Sequence, residues 1–164
     1  MSYLLDTNVF IQAKNLHYGF DFCPAFWDWL DQKHASGDVR SISLVGDELM
    51  NGTDTLADWA KARKKTLFPE PDAASLGALT QVSVWARSGK FDASAINTFL
   101  QIADSLLVAG GLAIGATVVT HEIPSGGRKI KIPTACLELG VPYCTPFQML
   151  RRENASFVLG KSDT

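Results

Sequence analysis

Residues 3–11 read YLLDTNVFI, an apolar run, three polar residues and a second apolar run. The run Tyr3-Leu4-Leu5 is typical of a short buried strand. The polar residues that follow, Asp6-Thr7-Asn8, offer side chains that cap a helix containing Val9. This stretch therefore predicts a strand that passes directly into a helix, with Asp6 at the carboxyl end of the strand.

The alternation of strands and helices continues along the chain. Further strands are predicted at 41–45, 116–120 and 141–144. Helices are predicted from Pro24, from about 46, across most of 54–101 with Asp72 and Asp92 as caps, over 103–114, over 134–139 with Gly140 after its end, and from Pro146. Strands separated by helices indicate an α/β fold with a mainly parallel sheet. We expect one domain over 1–164, with a short flexible tail from about 155.

The composition is that of an ordinary water-soluble domain: 164 residues, 46 % apolar and 20 % charged. The formal charge of −2 gives no overall attraction to a polyanion, so binding to nucleic acid needs a local basic patch. Three cysteines without a C-x-x-C pair suggest reduced thiols. No signal peptide is recognisable, and the apolar stretch 106–120 is too short to span a bilayer. We expect a cytoplasmic protein with no membrane partner.

Four acidic residues are expected to converge at one edge of the sheet. Asp6 follows the first strand, and Glu48 is expected in the first turn of the helix after the second strand. Ligands of parallel sheets collect beyond these carboxyl ends. The helix that starts at Asp104 is about 17 Å long, and the strand after it runs back by about 17–20 Å. Glu122 should therefore return beside Asp104.

Carboxylates held this close repel one another and resist ionisation. A hard divalent cation removes that conflict, and Mg²⁺ favours a few carboxylates together with several waters. Such an ion can orient a phosphodiester, stabilise its developing charge and generate a hydroxide nucleophile. We therefore predict a Mg²⁺ or Mn²⁺ site in which all four carboxylates are catalytic ligands. These are Asp6, Glu48, Asp104 and Glu122, with Asp47 as a weaker competitor of Glu48.

Five further residues are candidates for supporting roles. Asn8 and Thr120 position a water or the carboxylates, or else serve only as a helix cap and a strand residue. Three basic residues follow the last carboxylate closely in a Gly-rich loop and are candidate contacts to substrate phosphates: Arg128, Lys129 and Lys131.

The motifs around the four carboxylates resemble those of the PIN-domain family. The stretch LLDTNVFI at 4–11 is similar to the opening motif, and GDEL at 46–49 is similar to the second acidic position. ADSLLVA at 103–109 resembles the third motif, and VVTHE at 118–122 resembles the fourth. Two features depart from the pattern. Glu122 stands where Asp is commoner, and a long helical insert separates the second motif from the third.

The resemblance implies a three-layer α/β/α sandwich with a mainly parallel central sheet. It also implies hydrolysis of phosphodiester bonds with a divalent metal, RNA as the usual substrate and a 5′-phosphate on the product. Relatives of the VapC type are toxins with a protein antitoxin, and a homodimer is common among them. The expected function is therefore a metal-dependent endoribonuclease, as an independent enzyme or as the toxin of a toxin–antitoxin pair.

Two other functions stay open at this point. A catalytically inactive PIN-like module that binds protein or RNA would keep the fold, but we expect it to lack at least one acidic position, and all four are present. A HAD-like phosphatase would use Asp6 as its nucleophile and needs an acid two residues later, where this chain has Asn8. Taken alone, Asp6, Glu48 and Asp104 also fit the role of helix caps.

Overall fold

The structure, a computed structural model, describes residues 1–124 and 126–160. Its four strands form one all-parallel sheet in the order β2-β1-β3-β4. In register, Leu4 lies between Arg40 on one side and Val118 on the other. The predicted α/β fold with a parallel sheet is confirmed. The strands are β1 (Tyr3–Leu5), β2 (Val39–Arg40), β3 (Thr117–Val119) and β4 (Tyr143–Cys144).

Helices account for most of the rest of the described chain. Together with the sheet they have the arrangement of a three-layer α/β/α sandwich. A π-helical turn, Ala13–His17, continues the first helix. The helices are α1 (Thr7–Gln12), α2 (Pro24–Ala35), α3 (Ser43–Met50), α4 (Thr55–Ala62), α5 (Ala73–Ala86), α6 (Ala93–Gln101), α7 (Ala103–Ile114), α8 (Ile132–Leu139) and α9 (Pro146–Arg152).

Local capping signals account for many of the helix ends. Asp54, Asp72 and Asp92 begin α4, α5 and α6, and each accepts a hydrogen bond from the backbone N–H three residues later. Gly115 and Gly140 end α7 and α8 in the left-handed conformation, with φ of 68° and 71°, which a residue without a Cβ adopts without strain. The predicted caps Asp72 and Asp92 and the predicted end of α8 before Gly140 are confirmed.

The second strand lies earlier than predicted. β2 ends just before the alternating stretch 41–45, and α3 begins inside that stretch, so the prediction of a strand there is wrong. The buried hydroxyl of Ser41 donates a hydrogen bond of 2.6 Å to the carbonyl of Leu5 and so turns the chain away from the sheet. As a result, Glu48 lies in the second turn of its helix and not in the first.

Helix α7 lies directly on the sheet, where it packs against β1, β3 and α5. A Cβ added to Gly111 would lie 2.7 Å from Cγ1 of Val141 and 3.0 Å from Cγ2 of Val118. A Cβ added to Gly110 would lie 2.9 Å from Cδ1 of Leu4. The two glycines therefore allow the close approach of helix and sheet, and the same helix carries Asp104 in its first turn.

The segment after α9 remains packed on the core. The ring of Phe157 meets the rings of Tyr18 and Phe26 edge-on, at centroid distances of 5.8 and 6.1 Å. The tail predicted from about 155 overlaps this packed segment. Its last four residues, 161–164, lie outside the described residues.

The helices are short compared with the thickness of a bilayer. Within 1–124 and 126–160, no single helix is long and apolar enough to cross a membrane. Helices α6 and α7 reach the required length and composition only as a pair, and they are bent by 70° relative to one another. Much of α7 is buried in the core of the domain.

Candidate metal centre

The candidate centre lies at the switch point of the sheet, where the connections from two neighbouring strands run towards opposite edges. β1 and β3 are neighbours, but β2 lies beyond β1 on one side and β4 lies beyond β3 on the other. In open parallel sheets a crevice forms at the carboxyl ends of such a pair, and ligands bind there. Asp6 directly follows β1 and Thr120 directly follows β3. The two residues therefore meet at this crevice.

Asp6 is almost fully buried, with 5 % of its surface exposed. Its Oδ1 accepts a hydrogen bond of 2.7 Å from the backbone N–H of Thr7, and its Oδ2 accepts one of 2.8 Å from the hydroxyl of Thr120. Burial raises the pKa of Asp6 to about 6 although both hydrogen bonds lower it, and the charges of Glu122 and Glu48 raise it further. The fold thus disfavours the charged form of this carboxyl group.

The pKa of Asp6 distinguishes it from the ordinary helix caps of the same protein. Asp54 and Asp72 are caps at the surface, and hydrogen bonds from the backbone hold their pKa values below the usual range. Asp6 also caps a helix, as the simpler alternative predicts, yet its pKa is shifted in the opposite direction. Capping alone therefore does not account for Asp6.

Asp104 lies in the first turn of α7. Burial, together with repulsion from Asp6, Glu122 and Glu48, raises its pKa to about 7. No hydrogen bond from the described part of the chain contributes to lowering this pKa, in contrast to Asp6. All four predicted carboxylates are therefore close enough to interact electrostatically.

Thr120 connects the carboxylates to the loop that follows β3. Its hydroxyl donates to Asp6 and accepts from the backbone N–H of Glu122, at 3.0 Å, and from the side-chain amide of Asn8, at 3.3 Å. A hydroxyl has one donor and two acceptor positions, so its capacity is fully used. The amide oxygen of Asn8 accepts from the backbone N–H of His121, at 3.1 Å. Thr120 thus contacts a carboxylate directly, and Asn8 acts through its neighbours.

The carboxylates of Glu48 and Glu122 each accept one hydrogen bond from the described part of the chain. The hydroxyl of Thr7 donates to Oε2 of Glu48, at 2.6 Å. The backbone N–H of Ile132, at the start of α8, donates to Oε2 of Glu122, at 2.8 Å. No sequence pattern predicted this last hydrogen bond, because the two residues are ten positions apart and separated by a loop. The longer side chain of Glu122 helps it to reach this helix end.

The structure distinguishes Glu48 from its competitor Asp47. The charge of Glu48 contributes to the raised pKa values of both Asp6 and Asp104, whereas the charge of Asp47 is not among the causes for Asp104. Glu48 also receives the hydrogen bond from Thr7. Of the two neighbours, Glu48 is therefore the one that belongs to the cluster.

The four carboxylates do not form a complete set of direct metal ligands in this structure. Among residues 1–124 and 126–160, no three Asp, Glu, His or Cys side chains are placed so that they could hold a metal ion. Three of the four carboxylates are instead hydrogen-bonded to protein donors, which are Thr7, Thr120 and Ile132. A metal with only one or two direct carboxylate ligands is compatible with this arrangement.

The chemistry of the donor set nevertheless suits Mg²⁺ or Mn²⁺. Every donor is a carboxylate oxygen, and the ion pairs formed within the described part of the chain all lie elsewhere. Mg²⁺ keeps several of its waters in proteins and needs few direct ligands. The residues that would hold such an ion are Asp6 and Asp104, whose charges interact with those of Glu48 and Glu122.

A groove of about 630 Å³ opens beside Asp104 and Glu122. Its lining includes the three basic residues that the sequence predicts as phosphate contacts, Arg128, Lys129 and Lys131, together with the acidic Asp92. Part of its wall is formed by α6, which sequence reasoning did not connect with the site. The described part of the loop therefore lies next to the carboxylates, while its residue Ser125 lies outside the described residues.

Fold and site together define a class: an α/β protein with clustered carboxylates at the switch point of an all-parallel sheet. The chain belongs to the family described as Domain of unknown function (DUF4411), whose sequence model matches residues 3–157. The match spans all four carboxylates and the basic residues of the groove. No curated protein matches the chain, and no solved structure matches it.

Proposed function

We propose that this protein is a Mg²⁺- or Mn²⁺-dependent endoribonuclease that hydrolyses phosphodiester bonds of RNA. One observation carries the proposal: Asp104 and Asp6, from distant parts of the chain, share a site where burial and like charges raise both pKa values. Buried carboxylates of this kind are typical of functional sites. The resemblance of the four acidic motifs to those of PIN domains supports the same conclusion.

In this proposal Asp6 and Asp104 hold the cation, and Glu48 and Glu122 contact it through water. Thr120 keeps Asp6 in place through its hydrogen bond, and Asn8 fixes the turn that carries Glu122. When bound, a divalent cation supplies Lewis-acid stabilisation of the phosphodiester and lowers the pKa of the attacking water. The motif resemblance implies that the product carries a 5′-phosphate.

The basic residues that line the groove favour a polyanion as the substrate. Arg128, Lys129 and Lys131 lie on the same groove as Asp104 and Glu122, although the chain as a whole has a charge of −2. Contacts of this kind position a phosphate backbone without reading its sequence. We propose that the substrate is RNA in the cytoplasm. The roles as a toxin with an antitoxin partner and as a homodimer are proposals that depend on the motif resemblance.

A catalytically inactive module that binds RNA or protein is the second candidate function. One observation favours it: no three potential ligands among residues 1–124 and 126–160 are placed to hold a metal directly. Such a module would keep the basic groove and bind RNA, but it would show no dependence on a divalent cation. The two functions therefore differ in whether RNA is cleaved when a divalent cation is present, which is simple to measure.

The test is incubation with 5′-labelled RNA in Mg²⁺, in Mn²⁺ and in EDTA. We expect cleavage with either metal, none in EDTA, and a loss of at least about 100-fold for Asp104→Asn, because the change removes a ligand charge. Asp72→Asn is the matched control, since it makes the same change at a surface cap where Asn caps equally well. Cleavage that persists in EDTA would exclude the metal mechanism. Binding of RNA without cleavage in any metal would favour the inactive module.

A further inference from the structure

We propose that Glu122, besides its place in the metal centre, is a positioning residue for the substrate. It caps α8 across the loop between them, residues 123–131, and thereby holds the basic residues of that loop beside the carboxylates. This proposal rests on the proposed nuclease function, because it gives the loop the task of holding RNA. It adds to that function a second role for one of the four acidic residues.

Helix α8 begins without a local cap. The first N–H groups of a helix have no partner within it, and α4, α5, α6 and α9 each donate to the side chain of the residue before them. Within the described part of the chain, the residue before α8, Lys131, makes no such hydrogen bond. Its side chain has only donors, so it cannot act as an N-cap. The acceptor for this helix end must therefore come from elsewhere.

Glu122 supplies this acceptor from the other end of the loop. Ile132, the first residue of α8, is fully buried, so its N–H needs a partner. It donates to Oε2 of Glu122 at 2.8 Å, and the helix dipole also favours a carboxylate at this end of a helix. Burial, together with the charge of Glu122, raises the pKa of the Cys136 thiol in α8 to about 12. The charge of Glu122 therefore acts on α8 as well as on Asp104.

The turn that carries Glu122 is itself fixed. The backbone N–H of Glu122 donates to the hydroxyl of Thr120. The ring of the preceding residue, His121, packs against the rings of His17 and Phe147, at centroid distances of 5.8 and 5.6 Å. Hydrogen bonding and ring packing thus hold the start of the loop, and the Glu122 side chain connects this fixed point to α8.

The hydrogen bond closes the loop at its base. Its two partners are ten positions apart, within the span of about 6–16 residues over which compact surface loops bring their ends together. The loop carries Arg128 and Lys129, which are exposed and line the groove. A loop whose ends are fixed has fewer conformations to lose when its side chains bind phosphates. Glu122 should therefore strengthen RNA binding, although its own charge repels RNA.

The experiment compares Glu122→Gln with Glu122→Ala. Both variants lose the same negative charge, but the amide oxygen of glutamine can still accept from the N–H of Ile132, and alanine cannot. A difference between the variants therefore reports the hydrogen bond. The measurements are the Kd of a labelled RNA in EDTA, the rate of tryptic cleavage after the basic residues of the loop, kcat and KM in Mn²⁺, and the melting temperature.

We expect Glu122→Gln to bind RNA in EDTA at least as tightly as the wild type, because one repulsive charge is lost. Glu122→Ala should bind about tenfold more weakly than Glu122→Gln, and trypsin should cleave its loop about tenfold faster, in line with the loss of a helix cap. In Mn²⁺, kcat should fall in both variants, since each lacks a charge of the metal centre. KM should rise only in Glu122→Ala, a split that a purely structural role would not produce.

A second pair of variants tests the donor and leaves all four carboxylates in place. Ile132→Pro removes the N–H at the first position of α8, where proline is well tolerated, and Lys131 before it is already extended, as a residue before proline requires. Ile132→Ala retains the N–H, and both variants lose the buried isoleucine side chain. Ile132→Pro should bind RNA more weakly than Ile132→Ala and be cleaved faster in the loop. This pair also decides the question if Glu122→Ala does not fold.

The possible failures are distinguishable. Equal Kd values and equal tryptic rates within either pair of folded variants would overturn the role of Glu122 in the loop while the nuclease function stands. A wild type that neither binds nor cleaves RNA would overturn the nuclease function, and the positioning of substrate by Glu122 with it.

Discussion

The hydroxyl of Thr120 lies 2.8 Å from Oδ2 of Asp6, and this hydrogen bond joins residues 114 positions apart in the chain. It connects the carboxyl ends of two neighbouring strands at the switch point of the sheet. The same hydroxyl also accepts a hydrogen bond from the backbone N–H of Glu122. One side chain therefore orients a carboxylate and shapes the turn that carries another.

Replacing Thr120 with valine should weaken the centre without unfolding the protein. Valine keeps the shape of the side chain but removes the donor to Asp6 and the acceptor for Glu122. Removal of such a supporting partner typically lowers metal affinity or activity by about 10–100-fold. Mn²⁺ affinity by calorimetry and kcat/KM on RNA measure the effect. Thr120→Ser is the control, because it retains the hydroxyl, and equal behaviour of the two variants would contradict the positioning role.

The stability of the metal-free protein should fall as the pH rises from 5 to 8. The pKa values of Asp6 and Asp104 are raised from 3.8 to about 6 and about 7. Folding therefore favours their protonated forms, and this contribution is complete below about pH 4 and is lost as the pH rises through 6 and 7. Melting temperatures in EDTA across this range measure the loss.

Two further measurements attribute this pH effect to the carboxylate cluster. Mn²⁺ should raise the melting temperature strongly at pH 8 and little at pH 5, because protonated carboxyl groups do not bind the ion. Asp104→Asn should flatten the pH dependence in EDTA. A variant that retains the wild-type profile would show that the effect arises elsewhere in the chain.

Charge reversal in the loop should weaken RNA binding and reduce its salt dependence. The double change Arg128→Glu and Lys129→Glu removes two candidate phosphate contacts, so the slope of log K against log salt should decrease by about two. Lys64→Glu with Lys65→Glu is the matched control, since both lysines are exposed and neither lines the groove. Similar effects in both pairs would indicate a general charge effect and would contradict a local role of the loop.

Gly111→Ala should destabilise the fold and disturb the site together. The added Cβ would lie 2.7 Å from Val141 and 3.0 Å from Val118, so α7 must move away from the sheet. Overpacking of this kind costs about 1–3 kcal/mol, and the shift carries Asp104 with it. Urea denaturation and Mn²⁺ affinity measure the two effects.

Gly77→Ala provides the opposite case for comparison. Gly77 lies within α5, and beyond its chain neighbours and the nearby backbone of its own helix a Cβ there would meet no atom of the described chain within 4 Å. Removing the flexibility of glycine inside a helix should stabilise the protein by roughly 0.5–1 kcal/mol. If Gly111→Ala were as harmless as Gly77→Ala, the close approach of α7 to the sheet would not be what positions Asp104.

Local signals in the sequence were sufficient to predict much of the fold. Asp72, Asp92 and Gly140 mark helix ends through interactions within a few residues, and such interactions can be recognised in a sequence. The lengths of α7 and β3 likewise predicted that Glu122 returns towards Asp104, and in the structure the charge of Glu122 raises the pKa of Asp104.

The parts that could not be predicted depend on contacts between distant segments. The stretch 41–45 alternates like a strand, but Ser41 bonds to Leu5 and the chain enters a helix instead. The hydrogen bond between Glu122 and Ile132 crosses a loop. The α6 wall of the groove depends on how one helix packs beside another, which no local pattern records.

The strand order has a consequence for the protein while it is being synthesised. β1 is made first, yet its neighbour β3 follows only after all the helices from α1 to α7. Pairings of such long range form late in folding. A chain whose synthesis stops before Val119 contains Asp6 but lacks a complete β3, the strand that pairs with β1 at the crevice. Premature termination should therefore yield fragments without the assembled acidic crevice.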